Sequence, residues 1–139
     1  MKDLRYEHLS EELLAVVPEL KNAYEIEAAK WEQGKIPPHI AYGSLLADFV
    51  RKVVSDPSNP TVQTRRGIIL RCFDLIEGLS SSSIDEVRNV IEVSVLESLL
   101  GQTKGDWALF SPYFGKSTLV LARQLAARWN IEVPPQRRR

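Results

Sequence analysis

The sequence is poor in side chains that bind metals or form disulfides, with one cysteine and two histidines among 139 residues. A single cysteine cannot form an internal disulfide, and none of the three side chains has a partner at the spacing of a zinc site. Cys72 lies in an apolar helical run, which predicts a small and unreactive core residue. His8 is predicted to be exposed. We therefore expect no metal, no cofactor and a reducing, cytoplasmic environment.

Long apolar runs and net charge are also lacking. No stretch of 18 apolar residues predicts a membrane span, and the N-terminal segment has no apolar core of a secretory signal. The net charge of zero hides an asymmetry, since residues 1–33 contain eight acids and four bases whereas residues 102–139 contain seven bases and two acids. Residues 134–139, which include Arg137–Arg139, are expected to form a disordered basic tail. This tail is too short to favour nucleic-acid binding, and any other role for it stays open.

The stretch FGKST, residues 114–118, lacks the glycine that would make it a phosphate-binding loop. That motif requires a glycine five residues before Gly115, and the position is occupied by Phe110. No strand pattern precedes it. We therefore interpret Gly115 as a turn residue and Ser117 or Thr118 as the N-cap of the last helix.

Strand patterns are scarce, and helical periodicity occurs in five or six segments joined by connectors that contain proline or glycine. The predicted helices begin at Ser10, at Pro18 (running to Gln33), at about residue 40 (running to 55), at Asn59 and Pro60 (running to Gly78), at about 84 (running to 100) and at about 116 (running to 130). The helix at 84–100 is apolar around most of its circumference, which predicts a central position. The pattern favours an all-α fold, either an antiparallel bundle or a short stack of helical hairpins, in one domain over residues 1–133.

The helical faces give further expectations. Asp48, Arg51 and Lys52 of the third helix should face water. Ser94 and Ser98 of the central helix should allow a close approach by another helix. Trp129 is placed by periodicity on the inner face of the last helix.

No catalytic pattern is recognisable in the sequence. No serine lies in a G-x-S-x-G elbow, and no acid–base pair is apparent, so an enzyme is not predicted. His39 follows two prolines, and we expect its ring to cap a helix end or to pack on Tyr42, with a catalytic role as the alternative.

The acidic side chains permit two interpretations. Glu25 and Glu32 are seven residues apart on the second predicted helix, beside Trp31, and Glu97 lies near the end of the central helix, where the helix dipole disfavours an acid. One interpretation is a solvated surface together with an Arg88–Glu92 ion pair on the central helix. The other is a docking surface for a basic protein partner. The candidate partner-binding residues are Glu25, Trp31, Glu32, His39, Tyr42 and Glu97.

Four segments carry a resemblance to a known family: VPEL (17–20), PHIAYGSLLADFV (38–50), DEVRNVIEVSVLESL (85–99) and SPYFGKSTLVLARQLAARW (111–129). Residues 16–130 resemble a family of small, uncharacterised, all-helical bacterial proteins with a P-H-x-x-x-G loop and a V-R-N-[ILV]-I-x-V-S-[FV]-L-E-x-L helix. Asn89, Ser94 and Glu97 match that helix motif, and both structural and functional roles are open for them.

Some members of such families are encoded beside polymorphic toxins. The resemblance therefore implies an immunity protein, which binds and occludes a toxin domain without chemistry of its own. A helical scaffold or regulatory module with another protein partner is the alternative, and an enzyme is a more distant one. The oligomeric state and the identity of the partner stay open.

Overall fold

The computed structural model describes residues 4–55 and 62–130, which form seven helices and no β-strand. The helices are α1 (Leu9–Val16), α2 (Lys21–Ala28), α3 (residues 38–55), α4 (Val62–Ser80), α5 (residues 85–100), α6 (Asp106–Phe110) and α7 (Lys116–Arg128). The all-α prediction is therefore confirmed. None of the described helices is both long and apolar enough to cross a membrane. Asn59, Pro60 and Arg137–Arg139 lie outside the described residues.

Helix α5 is the central helix, as predicted, and it contacts α3, α4, α6 and α7. Its buried side chains are Val87, Val90, Ile91, Val95, Leu96, Leu99 and Leu100. Burial of each large aliphatic side chain contributes roughly 1.5–3 kcal/mol, so this helix supplies much of the core energy. Val93 is the exception, because 38% of its surface is exposed.

Helices α3 and α5 contact each other through segments of π-helix. The π-helical segments are Ala41–Leu46 and Val90–Leu96, and they pack directly against one another. Gly43 makes this approach possible, since a Cβ at that position would lie 3.1 Å from the Ser94 Cβ. The prediction that Ser94 allows a close approach is confirmed. Segments of π-helix are rare and occur frequently at functional sites.

The short helix α6 was not predicted from the sequence. Its first residue explains why Arg51 does not face water. Asp106, at the start of α6, is fully buried. It accepts hydrogen bonds from Arg51 Nη1 at 3.0 Å and from the backbone N–H groups of Gln102 and Thr103 at 2.8 and 2.7 Å. The expectation that Arg51 is solvated was wrong because the buried carboxylate requires a cation.

The FGKST stretch begins α7, and its helix N-terminus is already occupied by a carboxylate of the chain. Glu77 accepts hydrogen bonds from Ser117 N at 3.0 Å and from Thr118 N and Oγ1, both at 2.8 Å. Burial alone would raise the pKa of Glu77, but these hydrogen bonds outweigh it and lower the pKa. Glu77 thus caps α7 from a distant part of the chain, in place of the predicted Ser117 or Thr118 cap.

Three predicted helix ends were wrong. A 3₁₀ turn precedes α1, so Ser10 lies inside the first turn instead of starting the helix. Helix α2 ends at Ala28, and the following turn contains left-handed residues at Gln33 and Gly34, which a helix cannot include. Helix α7 ends before Trp129, which is 45% exposed and therefore not on the inner face.

The predicted Arg88–Glu92 ion pair is replaced by two others. Arg88 pairs with Asp85, and Glu92 pairs with Arg128 of α7. Arg88 also donates to Ser82 O at 2.6 Å, so its guanidinium is held at the start of α5 and not beside Glu92. The pair between Glu92 and Arg128 instead connects α5 to α7.

Candidate partner-binding surfaces

Residues 21–35, called the α2 arm here, lie on the outside of the molecule. Helix α2 has no buried residue. The arm is attached to the core at its two ends by Leu20 and Ile36, which are 3% and 4% exposed, and between them by the partly buried Tyr24 and Ala28. Two large apolar side chains stay at the surface, Ile26 at 60% exposure and Trp31 at 36%. Ile26 and Trp31 therefore form apolar surface that the described part of the chain leaves uncovered.

The indole of Trp31 is held in place by the arm itself. Its Nε1–H donates to Glu27 Oε2 at 2.8 Å, and Lys30 Nζ lies 3.5 Å from the other oxygen of Glu27. The bond from Trp31 and the nearby Lys30 lower the pKa of Glu27. This hydrogen bond restricts the conformations of the Trp31 side chain.

Two carboxylates on the arm have no partner within the part of the chain that the structure describes. Glu25 and Glu32 are exposed, and neither side chain makes a hydrogen bond or ion pair with the residues that the structure describes. Because α2 ends at Ala28, they do not share one continuous helical face, as the seven-residue spacing had suggested. Both carboxylates nevertheless belong to the same short arm as Ile26 and Trp31.

Tyr42 was predicted to be a partner-binding residue, but it does not lie at the surface. Its side chain is fully buried, and its hydroxyl donates to Leu9 O at 2.7 Å. Burial raises the pKa of this phenol. A side chain without exposed surface cannot contact a partner, so Tyr42 connects α3 to α1 inside the core.

A groove between α3 and α5 contains the other two predicted site residues. It has a volume of about 450 Å³, and its lining includes His39, Gly43, Ser94, Glu97 and Trp129. The floor is formed where the two π-helical segments meet at Gly43 and Ser94. A second hollow of about 270 Å³ continues the groove along α3 past Ser98.

His39 connects the two helices that form the groove. Its Nδ1 lies 2.6 Å from Ser94 Oγ, and its ring packs on Tyr6 with a centroid separation of 5.9 Å. The expected packing on Tyr42 was wrong, because the histidine lies in the first turn of α3 and faces α5. The motif residues His39, Gly43, Ser94 and Glu97 are thus brought together from two distant segments.

The groove also contains features that the sequence did not indicate. Trp129 was placed in the core by helical periodicity, and Asn130, with a φ of 53°, is the left-handed residue that follows the end of α7.

On the α2 arm, the exposure of Ile26 was not foreseen either. Its position on a helix without buried residues becomes apparent only when the core is known.

The fold defines an all-α protein with an exposed helical arm and a groove between its two π-helical segments. The chain belongs to the family described as Domain of unknown function (DUF7674), whose model matches residues 10–130. The resemblance to an uncharacterised family is therefore confirmed. No curated protein and no solved structure matches the chain.

Proposed function

We propose that this protein is an immunity protein, which binds a basic toxin domain through the α2 arm and blocks it by occlusion, without catalysis of its own. The observation that carries this proposal is the composition of the arm. A tryptophan held by Glu27 and an exposed isoleucine lie on the same short segment as two carboxylates that have no partner in the described part of the chain.

The apolar part of the arm fits the centre of a protein interface. Tryptophan is enriched among the residues that contribute most to binding, and such residues act best when surrounding contacts exclude water. Trp31 keeps its hydrogen bond to Glu27 while its ring is exposed, so the ring can be buried by a partner without leaving the indole N–H unpaired.

The charged part of the arm determines which partner fits. Glu25 and Glu32 carry negative charge that no described residue neutralises, and the preceding chain is rich in acids. Such a surface attracts a basic partner over distances of about 10 Å at moderate salt and speeds its association. A toxin that acts on nucleic acid or nucleotides has the basic cleft that this surface complements.

The test is titration calorimetry with the toxin domain encoded beside the gene, at low and high salt. We expect Trp31→Ala to weaken binding by about 30-fold, the equivalent of roughly 2 kcal/mol. Glu25→Lys combined with Glu32→Lys should weaken binding about tenfold or more at low salt, and less at high salt because salt screens these charges.

The matched control is Glu7→Lys combined with Asp74→Lys, which makes the same charge change at exposed acids that are not part of the arm. This control should retain nearly normal affinity. If both double variants weaken binding equally, only the net charge matters and the arm is not the interface. If Trp31→Ala binds normally, the proposed anchor is wrong.

A further inference from the structure

The α3–α5 groove contains a carboxylate that has no partner among residues 4–55 and 62–130. Glu97 lies in the last turn of α5, is half-buried, and lines the groove. Among the described residues, no side chain forms an ion pair or hydrogen bond with its carboxylate. Partial burial of an unpaired charge is unfavourable, and a cation that enters the groove would remove that penalty.

An exposed indole lies on the same groove. Trp129 is the first residue after α7 and packs against the end of α5, since a Cβ at Gly101 would lie 2.9 Å from Trp129 Cζ3. Gly101 is one helical turn after Glu97. The groove therefore combines a carboxylate with an aromatic ring, and this pair favours a planar cation, because arginine forms two hydrogen bonds to a carboxylate and stacks on an indole.

Other residues that line the groove can contact the methylene groups and the outer N–H groups of an arginine side chain. Ile40 and Val93 supply apolar surface for its methylene groups, and Ser44 and Ser98 supply oxygen atoms that accept hydrogen bonds from the outer N–H groups. Arg51, which lines the adjoining hollow, is held by Asp106 and by Leu99 O at 2.9 Å, so it is not available to neutralise Glu97.

We propose that the α3–α5 groove binds an arginine side chain of a protein partner, with Glu97 as its ion-pair partner and Trp129 as its stacking surface. This inference deepens the proposed function and rests on it, because the arginine is assigned to the basic toxin domain. Binding to the groove is a second contact, separate from the α2 arm.

The test uses a peptide, so that it does not depend on the toxin. The indole N–H signals of the ¹⁵N-labelled protein are followed by NMR during titration with acetyl-Gly-Arg-Gly-amide, and the Trp129 signal is assigned with Trp129→Phe. The control peptide contains citrulline, which has nearly the same shape as arginine and no charge. We expect a saturable shift of the Trp129 signal with the arginine peptide, at a millimolar dissociation constant, and no saturable shift with citrulline.

Two variants locate the binding site. Glu97→Gln keeps the shape of the side chain, removes the charge, and should weaken binding of the arginine peptide at least fivefold. Asp74→Asn removes an exposed carboxylate elsewhere and should leave binding unchanged. Thermal unfolding of each variant verifies that the fold is retained.

The inference is overturned if the Trp129 signal does not shift, if both peptides shift it equally, or if Glu97→Gln binds the arginine peptide as tightly as the natural protein. A shift seen only after residues 131–139 are removed would also overturn it, since the chain's own arginines would then be the occupant. If Glu97→Gln binds the toxin domain normally while Trp31→Ala does not, the groove proposal fails and the immunity function stands.

Discussion

The substitution Asp106→Asn offers the sharpest test of the structural account. Asp106 is fully buried, and each of its oxygens accepts two hydrogen bonds. Oδ1 accepts from Arg51 Nη1 and from Thr103 Oγ1, and Oδ2 accepts from the backbone N–H groups of Gln102 and Thr103. An asparagine has only one acceptor oxygen, so its amide N–H₂ group would replace one carboxylate oxygen and face hydrogen-bond donors there. Arg51 would also lose its counter-ion.

The magnitude follows from the pKa of Asp106. Burial alone would raise this pKa, but the hydrogen bond from Arg51 and those from Thr103 and Gln102 outweigh burial and lower the pKa from 3.8 to about 2. Because the folded state holds the proton less tightly than the unfolded state, the ionised carboxylate stabilises the fold above pH 4. This contribution is about 2 kcal/mol, and it is lost as the pH falls from about 4 to about 2.

The assay is urea unfolding of the natural protein and of Asp106→Asn at pH 7, 5 and 3. We expect the variant to be less stable by about 2–4 kcal/mol at pH 7, since it combines a lost charge-assisted bond with unpaired buried groups. The difference between the two proteins should shrink at pH 3. Asp74→Asn, at an exposed position, should change stability by less than about 0.5 kcal/mol. A constant difference at all three pH values would refute the reasoning, because the ionised form of Asp106 would then contribute nothing.

Three further predictions concern single positions. In the same urea assay, Gly43→Ala should lower the free energy of unfolding by about 1–2 kcal/mol, because the added Cβ would meet Ser94. Gly67→Ala should raise the free energy of unfolding by about 0.5–1 kcal/mol, because no atom lies within 4 Å of the added Cβ. Glu77→Ala should cost about 1–2 kcal/mol through loss of the α7 cap, and unchanged stability would contradict the assigned cap. Cys72 is 1% exposed and burial raises its thiol pKa to about 12, so iodoacetamide at pH 8 should label it only after unfolding.

Much of the fold could be predicted from the sequence because apolar periodicity reflects burial directly. The central position of residues 84–100 follows from side chains such as Ile91 and Leu96, which are apolar on faces that a surface helix would leave polar. Helix α6 was missed because it is short and begins with an aspartate, which local patterns assign to the surface. Arg51 was predicted to face water because its partner Asp106 is 55 residues away, and local patterns do not show such a contact.

The candidate site was predicted only in part. The exposure of Glu25 and Glu32 was expected from their spacing on the second predicted helix, and Trp31 was placed beside them. The contact between His39 and Ser94 joins positions that are 55 residues apart, and the motifs identified both residues without indicating that they touch. Trp129 could not be assigned to the groove, because its position depends on where α7 ends and not on helical periodicity.

The central claim is that this protein neutralises a toxin, and a growth assay tests it most directly. A candidate toxin domain from a neighbouring gene is expressed in a bacterial host, alone or together with this protein or its Trp31→Ala variant. The account predicts that the natural protein restores growth and forms a one-to-one complex in sizing chromatography, and that Trp31→Ala restores growth less well. Failure of the folded, natural protein to restore growth or to bind the toxin domain would contradict the account.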